Sequence, residues 1–60
     1  MDNLELIKEL ENARFLMNKS KKLKIEAVQN QKWETAAYYR DDERKYEKII
    51  KELEEKIRPS

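Results

Sequence analysis

Three clusters in this 60-residue chain carry side chains of a kind that do chemistry. The first is acidic: Asp41-Asp42-Glu43. Carboxylates hold divalent cations, but consecutive helical positions point about 100° apart, so these three do not converge on one ion. A calcium loop needs alternating ligands and a Gly at its turn, and the chain contains no Gly. Their expected role is ion pairing with Arg40, Arg44 and Lys45. The second cluster is basic: Lys19, Lys21, Lys22 and Lys24. Such a run meets phosphate, yet it holds no Arg and no aromatic ring on which a base would stack. A solvated helix face is the expectation. The third cluster is Trp33, Tyr38, Tyr39 and Arg40, residue types that concentrate where proteins bind one another.

Catalysis finds little to work with. Ser20, Thr35 and Ser60 are the hydroxyl nucleophiles at hand, and the chain has no His to activate them and no Cys. Paired carboxylates would need a cleft. No enzyme, no metal and no cofactor is expected. Without Cys there is also no disulfide and no thiolate zinc site. Fourteen Lys and Arg against thirteen Asp and Glu leave a charge of +1, too balanced for a dedicated nucleic-acid binder. That balance hides a gradient: residues 1–17 sum to −2, residues 18–32 to +4 and residues 33–60 to −1. No apolar run approaches the roughly 18 residues of a bilayer span. The first ten residues alternate acids with Leu and Ile, unlike a secretory leader. A cytoplasmic protein without membrane contact is expected.

The elements that must position these residues are helical. Good helix formers dominate, and β-branched residues are few. Asp2 with Glu5 reads as a capping box, and Pro59 forbids continuation at the far end, where Lys56 and Arg58 suit the negative helix pole. Nothing between obliges a turn, so one helix of roughly 80 Å and a hairpin of two helices are both open. The phase of the apolar stripe favours the hairpin. Leu6, Leu10, Ala13, Leu16, Met17, Ser20, Leu23, Ala27 and Val28 share one face of the first half. In the second half, Ala36, Tyr39, Glu43, Tyr46, Ile50, Leu53 and Ile57 follow a heptad, with Glu43 the exception that needs a basic partner or a rim position. The two stripes differ in phase by about 80° across Gln29-Asn30-Gln31-Lys32. Asn30 tolerates a left-handed cap, which places the turn there. A break at Asn18–Lys22 is the lesser alternative.

The expected fold is therefore all-α: an antiparallel two-helix hairpin, helices about 3–30 and 32–58, in a single domain over 1–60. Leu4, Ile7, Phe15 and Ile25 project opposite the main stripe, more apolar surface than a lone hairpin needs. They suggest a second interface. Self-association into a dimeric four-helix bundle would also relieve the small core, since a 60-residue domain is marginal alone.

Residues 23–57 resemble the UVR motif. It is a helical hairpin found in the excision-repair subunits UvrB and UvrC, in the middle region of ClpC-type Clp ATPases and in the adaptor McsA. The matching residues are Lys24, Ala27-Val28, Gln31, Trp33-Glu34, Ala36-Ala37, Arg40-Asp41 and Glu43. Trp33-Glu34 stands where the family usually has Phe-Glu, and Tyr39 replaces its usual Leu. The resemblance implies a non-catalytic protein–protein interaction module, pairing with another UVR-like hairpin or a Clp-type ATPase. No ATPase, nuclease or helicase part is present to carry over those activities. On this reading Trp33, Tyr38, Arg40 and Asp41 near the turn, with Phe15 and Ile25 on the first helix, bind the partner. Arg40 would also reach the first helix or a partner, and homodimer and partner would compete for one surface. A structural coiled coil, or a nucleic-acid-associated protein using the 19–24 run, are the alternatives.

Overall fold

The computed structural model describes residues 3–57. Two helices account for nearly all of them: α1, Asn3–Gln29, and α2, Trp33–Ile57. They pack against each other as an all-α hairpin with a long axis of 44 Å, about half the length a single helix would need. α1 runs unbroken through Asn18–Lys22, and Ser20 there is buried. The capping box at Asp2 and the terminal signals at Arg58 and Pro59 lie outside the described residues.

The core follows a heptad on both helices. On α1 the inward positions are Leu6, Leu10, Ala13, Met17, Ser20, Lys24 and Ala27, alternating steps of four and three. On α2 they are Ala36, Tyr39, Glu43, Tyr46, Ile50, Leu53 and Ile57. Leu6, Leu10, Ala13, Ile50 and Leu53 form one buried cluster toward the open end, with Met17, Ile49 and Ile57 against it. Toward the turn the buried residues are small or polar: Ser20, Ala27, Ala36 and Glu43. Tyr39 and Tyr46 keep their heptad places but are only half-buried.

Two expectations about the first helix need correction. Val28 does not join the stripe; it is 45% exposed, because it lies one residue beyond the inward Ala27. Lys24 does not belong to the solvated basic run. Its heptad position turns it inward, where its side chain is 30% exposed and that of Glu43 only 11%. The Lys24 Nζ donates to Glu43 Oε1 at 3.0 Å and to Oε2 at 3.3 Å. The carboxylate that interrupts the second stripe is thus satisfied by the ammonium that interrupts the first. Arg40, Arg44 and Lys45 are not its partners. Farther out, the Arg14 guanidinium donates to Glu54 at 3.0 Å. That pair is exposed and is worth at most about 1 kcal/mol.

The turn shows why no Gly or Pro is needed. The Lys32 N–H donates to the Ala27 carbonyl at 2.8 Å and the Gln31 N–H to the Val28 carbonyl at 3.0 Å. These are the two bonds of a Schellman cap. The left-handed residue is Gln31, φ 60°, not Asn30. Asn30 instead caps from its side chain, its Nδ2 donating to the Glu26 carbonyl at 3.0 Å. Lys32 also starts the next helix, its carbonyl accepting from the Ala36 N–H at 2.9 Å. One residue therefore closes α1 and opens α2, which makes the connection short enough to hold the helices antiparallel.

Candidate functional site

The seam between the helices has two sides, and they differ in chemistry. Heptad rows make the sides easy to trace, since residues seven apart lie on one helix face. On the first side run Ile7, Arg14, Lys21 and Val28 of α1 and Trp33, Arg40, Glu47 and Glu54 of α2. Near the turn, Trp33, Val28, Ala37 and Arg40 line a groove floored by Ala36 and Lys24. Trp33 is the first residue of α2 and is 64% exposed, so its ring does not close the hairpin end as core. Ala36 and Ala37 keep the groove open beside it, because a larger side chain at either place would fill it. Farther from the turn, the Arg14–Glu54 ion pair lies over this same side.

The second side mixes apolar and polar residues: Glu9 and Asn12 line it toward the open end, Glu26, Lys32 and Thr35 toward the turn, and half-buried Asp42 lies one heptad from Ile49. Leu16, Tyr46, Ile49 and Leu53 line a groove with Ala13 at its base. Leu23, Ala27 and Tyr39 continue it toward the turn. Leu16, Leu23, Tyr39, Tyr46 and Ile49 are each half-buried, their inner edges on the core and their outer edges open. Leu16, Leu23, Tyr39 and Tyr46, expected in the core, lie at its edge, and Ile49, outside the expected stripe, joins them. The signal was present: Leu16 and Leu23, one heptad apart, flank the inward row without belonging to it.

The six residues expected to bind a partner do not form one cluster. Trp33 and Arg40, seven apart, share the turn-end groove. Arg40 is exposed and, among the described residues, makes no ion pair with α1. Tyr38 is exposed and lies away from that groove, its ring edge-on to Tyr39 with centroids 5.4 Å apart and planes at 78°. Asp41 is exposed one residue beyond Arg40, about 100° further round α2. Phe15 is 60% exposed on the back of α1, beside Asn18, Lys19 and Lys22. Ile25 is exposed too, about 80° round the helix from Phe15, so the two do not make a single stripe. Leu4 and Ile7 are likewise exposed.

Among the described residues no three acidic side chains converge to hold a metal ion, and no helix is long and apolar enough to cross a membrane. Comparisons with protein families, curated proteins and solved structures find no match to this chain. The UVR resemblance accordingly rests on the residues themselves.

Proposed function

We propose that this chain is a non-catalytic protein–protein interaction module of UVR type, a small adaptor that works by pairing its hairpin with another. The observation that carries the reading is the turn-end groove. A Trp and an Arg, two of the side chains most often decisive in protein interfaces, stand exposed and one heptad apart. Between them two Ala leave room for an incoming side chain. A partner helix laid across Ala36 and Ala37 would bury the Trp33 ring and bring a carboxylate or carbonyl to Arg40 for charge-assisted hydrogen bonding. The candidate partners are a UVR-like hairpin and a Clp-type ATPase, and the module also associates with itself. Tyr38, Asp41, Phe15 and Ile25 lie outside the groove and extend the contact only if the partner wraps around the hairpin.

The test is a binding measurement with purified ClpC-type ATPase and purified UvrB, wild type beside a Trp33→Ala/Arg40→Ala variant. Both side chains are exposed, so circular dichroism should report an intact hairpin in the variant. Binding by wild type to either protein, weakened at least about tenfold in the variant, supports the adaptor reading; a tenfold loss corresponds to about 1.4 kcal/mol. No binding to either protein by a folded wild-type chain, at concentrations where it self-associates, leaves a self-assembling coiled coil as the better description.

A further inference from the structure

The hairpin has a thin core for its length. Among the described residues seven apolar side chains are buried, three of them Ala, and none is wholly enclosed. Five more large apolar residues stop half-way along one side of the seam: Leu16, Leu23, Tyr39, Tyr46 and Ile49. Half-burial along one side differs from scattered exposure, because a second flat layer would cover these five at once, together with half-buried Asp42 one heptad from Ile49. The opposite side carries the Arg14–Glu54 ion pair toward the open end and an open groove only near the turn.

Area and charge say what that layer is. A hairpin face of 44 by 16 Å presents roughly 700 Å², close to the ~800 Å² per partner of a standard stable interface. A second hairpin of the same dimensions matches it. Charge then sets the direction. Residues 18–45, the turn half, hold eight bases and five acids. The remaining described residues, the open half, hold five bases and seven acids. Two copies laid parallel would stack +3 on +3 and −2 on −2. Laid head to tail, each turn half meets its partner's open half with opposite sign.

We infer that the occupant of the Leu16–Leu23–Tyr39–Tyr46–Ile49 face is a second copy of this chain, bound head to tail about a two-fold axis near Tyr46. This rests on the self-association in the proposed function and adds its face and direction. An isologous pair of this kind forms a closed dimer of four helices. It also leaves Trp33 and Arg40 uncovered on the other side, so a partner and a second copy bind together instead of competing.

The absence of native Cys allows a clean distance measurement. Thr35 is exposed, beside this face, near the turn. A spin label on Thr35→Cys, read by pulsed electron resonance, should give an intermolecular separation of about 30 Å head to tail, from some ten residues of helix on each side of the axis. A parallel dimer would give less than about 20 Å. Sedimentation equilibrium supplies the second reading. Ile49→Glu should weaken the dimer at least a hundredfold while Phe15→Glu leaves it unchanged. Raising salt from about 20 to about 500 mM should weaken the head-to-tail dimer, whereas a parallel one would tighten. A short Thr35 separation overturns the direction. Dissociation by Phe15→Glu but not by Ile49→Glu overturns the face. A monomer at every concentration overturns self-association itself, while partner binding at Trp33 and Arg40 would still stand. The label measurement uses the otherwise wild-type chain, so it decides direction even if Ile49→Glu fails to fold.

Discussion

The two halves of this hairpin are built from the same heptad but filled differently. In the open half, Leu6, Leu10, Ala13, Ile50 and Leu53 make a dry cluster. In the turn half the same heptad positions hold Ser20, Lys24, Ala27, Ala36 and Glu43, with Tyr39, only half-buried, as the one large apolar side chain. The first arrangement supplies free energy, since burying a Leu or Ile side chain is worth about 1.5–3 kcal/mol. The second supplies little. Two Ala bury almost no area, and an inward ion pair roughly breaks even against its desolvation. What the turn half provides is alignment. A Lys on one helix that must meet a Glu on the other permits one register, as single polar core residues do in coiled coils. The lesson is a division of labour: the open half holds the hairpin together, and the turn half sets its register and carries the exposed Trp33 and Arg40.

The sharpest way to break that comparison is a truncation in each half. Leu53→Ala should cost about 2–4 kcal/mol, the usual range for a buried Leu, and leave so small a domain largely unfolded in a urea or thermal melt. If Leu53→Ala proved nearly neutral, the open half would not be the source of stability. Lys24→Met comes next. It leaves Glu43 facing inward without its ammonium and should cost about 1–3 kcal/mol, less than for a fully buried pair because both side chains keep some solvent. Its sharpening partner is Lys24→Leu with Glu43→Leu. That double change should restore or exceed wild-type stability while losing the unique register, visible as broadened amide resonances. The smallest effect is at the turn. Gln31→Gly removes the Cβ that opposes a left-handed backbone and should stabilise by about 1 kcal/mol, with the far-ultraviolet spectrum unchanged. A loss of stability there would mean that the Gln31 side chain holds the turn through contacts of its own.

Much of the fold was legible beforehand. The helical composition, the hairpin and a turn among Gln29–Lys32 follow from propensity and from the shift of apolar phase. The α2 stripe from Ala36 to Ile57 follows from its heptad spacing, Glu43 included. In α1 the stripe of apolar residues and Ser20 does not reveal Lys24 as an inward position. Counting Lys24 as a core position requires knowing that Glu43 awaits it across the seam, and no local signal carries that. For the same reason local sequence pairs Glu43 with its neighbours Arg40, Arg44 and Lys45. Asn30 was the better guess for a left-handed residue by intrinsic preference. The hydrogen bonds of the Schellman cap count backward from where α1 ends, and that count falls on Gln31. As to the site, exposure of Trp33, Tyr38, Arg40, Asp41, Phe15 and Ile25 matches their sequence positions, but their grouping does not. Helical spacing joins Trp33 with Arg40 and, three residues apart, Tyr38 with Asp41; Phe15 and Ile25 lie apart on α1.

By itself the sequence determined what each helix is: where it can persist, which stripe of it is apolar and that two stripes out of phase must face each other. Those properties are local, set by backbone preference and by a 3.6-residue period. Only the tertiary structure decided which residues meet. The pairing of Lys24 with Glu43 and the split of the seam into one side with Trp33 and Arg40 and another with Tyr46 and Ile49 depend on the register between α1 and α2, whereas the left-handed Gln31 follows from where α1 ends. Register is a property of two surfaces together, fixed when the larger apolar cluster closes at one end and a short cap ties the other.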